Sequence, residues 1–377
     1  MKIVFVHLGD GRADHLWANI NSLIARFESI EIALVSDRQR SELITHPRVS
    51  TFQYVRSETT EELMGNLKFE RDFRNGFWHF SLERLIALGQ YHLANKDQSI
   101  LHIESDVLLL NGFPAKGFNG LEKLTWLRAH ETGDIATLIY SPNAEETHWL
   151  AQQVECLIRG GDHLLTDMTA LLKIRVANPN RVATAPSLSK KMVSTLSKDS
   201  KLTLELTTDL SEMYSAFEGI FDPAAIGMWL TGCDPRNHYG FTRIFDTKEV
   251  LKTRPFLDPS QFDYKIDASG RLIVLVDDSE IAIWCLHVHS KNLELFNMGW
   301  EVELQKLVQM SNRNRIVLRF DLKCLIKLII SNLKNKTFVG FILHIPKLRP
   351  LREFLILYRT KIKSLRKKIS GLNEGYL

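Results

Sequence analysis

The segment Ile100–Leu110 reads ILHIESDVLLL, so two carboxylates, Glu104 and Asp106, interrupt an otherwise apolar run. In a strand, residues two apart face the same side, and this spacing would aim both carboxylates one way. Two unpaired charges in a core are costly, so such a pair belongs at a strand's end or around a cation. Hard divalent ions such as Mg²⁺ or Mn²⁺ take oxygen ligands and often bridge to a phosphate. Ordinary solvated acids at a strand terminus are the bland alternative. The second cluster is Trp284–Asn292, WCLHVHSKN, where His287 and His289 again lie two apart with Lys291 just beyond. Imidazole can complete a Mn²⁺ shell begun by carboxylates, and a lysine is a point charge suited to a diphosphate. A His pair alone is weak, since such pairs are often structural; the two clusters gain meaning together.

The elements that must position these groups alternate along the chain. Strands are expected at Lys2–His7, Glu31–Val35 and Val49–Val55, with helices over Leu16–Phe27 and Gly76–Leu93. Ser99–Leu110 reads as one nearly continuous apolar strand. Leu124–Leu127 and Ile135–Tyr140 are further strand candidates, Ala144–Ile158 a helix, and 182–201, rich in Ser, Thr and Lys, a loop. Leu272–Val276 and Ile281–Val288 should form a hairpin across 277–279. Strand, helix and strand at these spacings give an α/β fold with a mostly parallel sheet flanked by helices.

The chain of 377 residues is 45% hydrophobic and 24% charged, which excludes a disordered or fibrous protein. Four widely spaced cysteines without a CxxC pair argue against a zinc ribbon or disulfide framework and fit a reducing, cytoplasmic compartment. The N-terminus lacks the apolar core of a signal peptide, and no uncharged run is long enough to span a membrane. Residues 311–377 hold 16 Lys and Arg against three Asp and Glu, whereas the first 310 residues are net acidic. From Leu351 to Ile369 the apolar positions step by three and four with basic residues between them. This is the pattern of a basic amphipathic helix on an anionic membrane, here the inner face of the cell membrane. A terminal helix docked on the acidic body is the competing reading. The tail lacks interleaved aromatic stacking positions beyond Phe354 and Tyr358, which disfavours nucleic acid.

The order of an open α/β sheet, an acidic triplet at the end of an apolar strand and a late His near a Lys resembles GT-A-fold glycosyltransferases. The resemblance covers about residues 1–300 in organisation, with the specific residues confined to short stretches. It implies a nucleotide-sugar part over about 1–140, an acceptor part over about 141–310 and the basic tail at 311–377. It also implies a UDP- or GDP-sugar donor, a Mn²⁺ or Mg²⁺ cofactor and a glycan or lipid-linked acceptor. Glu104-Ser105-Asp106 stands at the DxD position with Glu replacing the first Asp; Asp106 is then the metal ligand and Glu104 a ribose or water contact. His289, nearer Lys291, is slightly preferred over His287 as the late metal ligand. Phe77–Arg84 resembles the helix before that strand and offers Arg84 to the donor phosphates. His7, before a Gly/Asp turn, and Asp37, after the second strand, fall where an α/β sheet binds its nucleotide. An inverting reaction needs a carboxylate base near the acceptor hydroxyl, and Asp167 and Asp222 are the candidates, although both also fit helix N-caps.

Two other classes compete. A nucleotidyltransferase making a nucleotide-sugar shares the sheet and the carboxylate-bound metal, but normally carries a Gly-rich basic loop after its first strand. A noncatalytic peripheral membrane protein would leave these side chains scattered rather than convergent.

Overall fold

The computed structural model of the chain describes residues 1–9, 14–38, 46–69, 76–96, 99–196, 204–238, 241–311 and 316–320. By contact the chain divides into Met1–Asp234 with Thr242–Arg319, and Pro235–Phe241 with Phe320–Leu377. The main sheet and the candidate site lie in the first unit. The helix expected over 351–369 lies outside the described residues.

The chain begins with β1 (Lys2–His7), α1 (Asp14–Arg26), β2 (Glu31–Ser36) and β3 (Val49–Gln53), then α2 (Glu58–Gly65) and α3 (Phe77–Asn95). Next come β4 (Ile100–Ile103), β5 (Val107–Leu109), β6 (Leu124–His130) and β7 (Gly133–Ser141), with α4 (Ala144–Arg159), α5 (Asp167–Ala177) and β8 (Val182–Thr184) behind them. The main sheet runs β3-β2-β1-β4-β7-β6-β8. The pairs β2–β3, β1–β2, β1–β4 and β6–β8 are parallel, while β7 is antiparallel to both β4 and β6. The expected α/β architecture, a mostly parallel sheet flanked by helices, is therefore present.

Strand alternation explains the layering. Ile3 and Phe5 of β1, with Leu101 and Ile103 of β4, pack with Leu16, Ile20 and Leu23 of α1 on one face. Val4 and Ile100 point the other way, to Ala87, Leu88 and Tyr91 of α3. Leu82, Leu85 and Ile86 of α3 extend that layer onto Leu150 and Val154 of α4.

The second half adds α6 (Lys190–Leu196), α7 (Leu204–Ser211), α8 (Tyr214–Phe217), β9 (Gly219–Ile220), α9 (Ala225–Thr231), β10 (Phe241–Ile244) and α10 (Thr247–Leu251). It closes with β11 (Asp263–Ile266), β12 (Leu272–Val276), β13 (Ser279–Ile283), β14 (Cys285–His287), α11 (Trp300–Ser311) and β15 (Val317–Phe320). A small sheet runs β11-β12-β13-β9, while β14 pairs with β5 and β10 with β15.

Three expectations are corrected. The segment 99–110 is not one strand: β4 ends at Ile103, and a turn closed by Val107 N–H donating to Glu104 O at 3.1 Å separates it from β5. Ile281–Val288 is likewise two strands, because Trp284 N–H donates to Ile220 O and Trp284 O accepts from Leu110 N–H, moving the chain from one sheet to another. The expected loop at 182–201 contains β8, which pairs with β6, and α6, whose Met192 and Leu196 are buried. Its hydroxyls serve structure: Ser189 Oγ accepts from Met192 N–H at 3.2 Å.

His102 tests the core by pH. It is fully buried in β4, its Nδ1 lies 2.9 Å from Val4 O, and burial, then nearby Arg84, pushes its pKa down to about 3. The unfolded chain takes up this proton below about pH 6.5, and the folded chain not until about 3. Stability is therefore lost as pH falls through that window. Urea melts of His102→Asn, which keeps a donor for Val4 O, should lose less stability than wild type between pH 6.5 and 4, by up to about 3 kcal/mol. Equal slopes would remove His102 from the account.

Candidate metal and phosphate site

The carboxyl ends of β1, β2 and β4 lie at one edge of the sheet, because the three strands are parallel. The 104–106 turn projects from that edge. Pairing of β14 with β5, in the register His287 with Val107, brings the second cluster alongside it. Val288 N–H donates to Asp106 O at 2.8 Å and fixes the two segments together. The carboxylates thus converge through a turn rather than through strand alternation.

Glu104, Asp106 and His287 each offer one ligand atom, and the three atoms lie within 4.8 Å of one another. His287 Nε2 is 3.5 Å from Asp106 Oδ2; its Nδ1 is 3.8 Å from Glu104 Oε2 and 3.1 Å from Thr137 Oγ1. Lys291 Nζ lies 3.1 Å from Asp106 Oδ2 and 3.7 Å from Asp234 Oδ2. Burial would raise the Asp106 carboxyl, but Lys291, His287 and His15 hold it well below the usual carboxylate range. Burial disfavours the His287 imidazolium, yet Asp106, then Glu104 and Asp222, push it up to about 9.

The donor set suits a divalent cation. Two carboxylates and an imidazole are the ligand types of Mn²⁺ and Mg²⁺ sites, and imidazole favours the former. Glu104 Oε2 is buried with no hydrogen-bond donor, an orphaned acceptor inside the cluster.

His289 is differently engaged. It stands on the turn after β14, and its Nδ1 accepts a hydrogen bond from Asp234 N–H at 3.0 Å. A neutral imidazole that accepts at Nδ1 carries its proton on Nε2. Burial, with His287 and Lys291 beside it, pushes His289 down to about 3.

Arg84, on α3, lies behind the acidic turn with its side chain 13% exposed. Its Nη1 lies 2.5 Å from Glu104 Oε1 and its Nη2 2.5 Å from Asp167 Oδ2, at the start of α5. Burial works against the guanidinium, and the two carboxylates more than offset it, holding its pKa above the ordinary value. Asp222 is fully buried; Oδ1 accepts from Ile226 N–H, and Oδ2 accepts from Gly227 N–H and His287 N–H, all within 3.0 Å. It thereby ties α9 to β14. Gly227 makes that approach sterically feasible, because a Cβ there would stand 2.0 Å from His287 O. Trp229 is core, 4% exposed and set edge-on against Phe245.

At the other end of the edge, Gly9 N–H donates to Asp37 Oδ2 at 3.0 Å, so the ends of β1 and β2 are joined. Gly9 has φ +82°, and a Cβ would stand 2.5 Å from Phe80. Asp37 Oδ1 is buried without a donor, and His7, half-buried, ends β1.

Four residues near the acidic turn escaped the sequence reading. Asn19 Nδ2 donates to Ser105 O and Val107 O, and His15 Nε2 lies 3.1 Å from Ser105 Oγ, so one face of α1 pins the turn. Their spacing of four within an apolar-periodic stretch was the available sign. Thr137 sits in an apolar strand with nothing to mark it. Asp234 lies in a Gly/Pro-rich segment whose sequence gives no sign that it faces Lys291.

No protein-family model matches the chain, and no curated protein matches it. Among solved structures it is similar to a galactosyltransferase, LgtC, in complex with donor and acceptor sugar analogues. That match has 13% identity over 56% of this chain and 84% of that one, with a TM-score of 0.38. It is also similar to the apo form of a glycosyltransferase, GlyE, of Streptococcus pneumoniae TIGR4, at 13% identity over 51% of this chain and 46% of that one, with a TM-score of 0.35. Likeness at this level says nothing about chemistry, which rests on the side chains themselves. Among the described residues, no helix is long and apolar enough to cross a membrane.

Proposed function

We propose that the chain is a metal-dependent glycosyltransferase that moves a sugar from a nucleotide-diphosphate donor to a glycan or lipid-linked acceptor. The observation that carries this reading is the convergence of Glu104, Asp106 and His287, with Lys291 alongside, at the carboxyl edge of a parallel sheet. That edge is where α/β sheets receive nucleotides.

Glu104, Asp106 and His287 would hold Mn²⁺ or Mg²⁺. When bound, the cation supplies Lewis-acid stabilisation of the charge developing on the leaving nucleoside diphosphate. Lys291 would add positive charge beside the leaving diphosphate as the acceptor oxygen bonds to the anomeric carbon, the old C–O bond breaks and the acceptor's hydroxyl proton passes to a base or to the departing phosphate. His289, its Nδ1 taken by Asp234 N–H, serves as an Nε2–H donor rather than a metal ligand, so His287 replaces it in that role. His7, Gly9 and Asp37 mark the nucleoside end. Arg84 holds Glu104 and is itself held by Asp167, and Asp222 holds His287 through the backbone. These two aspartates are read as positioning residues. A base must reach an acceptor hydroxyl, and Asp222 is buried with both oxygens on amides while Asp167 is paired with Arg84.

Calorimetric titration of UDP and GDP, with and without Mn²⁺, tests the reading. Binding of one nucleotide that tightens at least about tenfold with Mn²⁺ is expected. No binding of either under any condition would remove the donor site. The basic, amphipathic pattern of residues 351–369 further supports a peripheral membrane location. The chain should sediment with vesicles containing anionic phosphatidylserine and release at high salt; equal partition onto neutral vesicles would contradict this.

A further inference from the structure

Lys291 stands between two carboxylates. Its ammonium is 3.1 Å from Asp106 Oδ2 and 3.7 Å from Asp234 Oδ2, and its side chain is 28% exposed, so it has room to move. Its backbone sits at φ 55°, a left-handed conformation uncommon for a residue other than Gly, Asn or Asp. Val288 O accepts from Lys291 N–H at 2.8 Å and closes the turn that creates it. Asp234 is 1% exposed, and its own backbone N–H is tied to His289 Nδ1, which anchors the residue beside Lys291.

The ammonium therefore occupies the positive-charge position at Asp106 that a bound cation would need. Lys291 and a dication cannot both lie close to one carboxylate oxygen without strong repulsion. Asp234 gives the ammonium a second seat within one side-chain movement.

We propose that Asp234 is a positioning residue that receives Lys291 when a divalent cation takes Asp106, so that cation entry and release of the lysine toward a phosphate are one coupled event. The inference rests on the reading of Glu104, Asp106 and His287 as a cation site. Lys291 acts as an internal competitor of the cation, and Asp234 lowers the cost of displacing it. Cation binding then precedes tight diphosphate binding, because the ammonium must leave Asp106 before it can reach the phosphate oxygens, and Asp234 holds it on the way.

The test is Mn²⁺ affinity without nucleotide, read by electron paramagnetic resonance of free Mn²⁺, on full-length wild type, Lys291→Met, Asp234→Asn, the double variant and Asp106→Ala. Lys291→Met should bind Mn²⁺ at least about fivefold more tightly, although it removes a residue of the site. Asp234→Asn should weaken Mn²⁺ binding at least about threefold with Lys291 present, and little in the Lys291→Met background. Circular dichroism melts confirm that each variant is folded. Unchanged or weaker Mn²⁺ binding by Lys291→Met, with binding still lost in Asp106→Ala, would overturn the competition while leaving the metal site standing. An Asp234→Asn effect of equal size in both backgrounds would reduce Asp234 to a general field effect and overturn its role as a seat. Absence of Mn²⁺ binding in every protein, wild type included, would overturn this inference and the metal-site reading together.

Discussion

Asp106→Ala should abolish Mn²⁺-dependent binding of the nucleoside diphosphate, lowering affinity by at least about 100-fold while leaving the chain folded. Asp106 contacts both His287 and Lys291, and its backbone carbonyl holds Val288, so it lies at the junction of the two clusters. Losing the side chain removes one of three ligand atoms, the main carboxylate that sustains the His287 imidazolium, and a partner of Lys291. The carbonyl that fixes β14 remains, so the framework does not depend on the side chain. The stability effect should be modest, about 1–2 kcal/mol, because Lys291 is partly exposed and can turn toward water or Asp234. Calorimetry with and without Mn²⁺, beside a thermal melt, separates the two effects. Undiminished Mn²⁺-dependent binding in a folded Asp106→Ala protein would move the metal elsewhere. Asp106→Asn, which keeps the shape and loses the charge, should behave like Ala toward Mn²⁺; wild-type affinity in that variant would show that the charge is not what matters.

Arg84→Met should be the most destabilising single change at this edge. The guanidinium is buried and shared by Glu104 and Asp167, each 2.5 Å away and each largely removed from solvent. Removing it takes the nearest cation from Asp167 and from Glu104, which keeps His287 Nδ1 at 3.8 Å, and breaking a buried pair in this way typically costs about 3–5 kcal/mol. For a domain of this size that is a fall in melting temperature of roughly 5–8 °C. Asp167→Asn in the Arg84→Met background should recover part of the loss by removing one of the stranded charges. The prediction also separates two roles for Arg84. A phosphate ligand on the surface would leave stability nearly unchanged when replaced and would cost nucleotide affinity directly. A residue buried under the acidic turn would lower stability first and Mn²⁺ affinity through misplacement of Glu104. A melting temperature within about 2 °C of wild type would rule out the buried role.

Sequence periodicity was sufficient where one element decides its own form. The helices over 77–95 and 144–159 and the strands at 2–7 and 31–36 follow from apolar spacing. The carboxylates of Glu104 and Asp106, and the His and Lys of 287–291, were visible as charges interrupting apolar runs, because such charges need an external reason to be there. Misreadings came at the breaks. The segment 99–110 has strand composition throughout, yet it turns at Glu104–Asp106 because its second half pairs with β14, a partner far away in sequence. The loop reading of 182–201 counted hydroxyls as turn formers, where the fold uses Ser189 as a cap and buries Met192 and Leu196.

The sequence by itself determined the α/β class, the acid–base asymmetry along the chain and the residue types at the site. Those depend on composition and local spacing. Only the tertiary structure decided which residues meet. It put His287 rather than His289 beside the carboxylates, because β14 ends at His287 and the next turn hands His289 to the Asp234 amide. It committed Arg84 to Glu104 and Asp167, and Asp222 to three backbone amides. It also set Asp234 opposite Lys291. Each of these pairings joins positions on different elements, and the balance between burial and a compensating partner that fixes them exists only once those elements have packed.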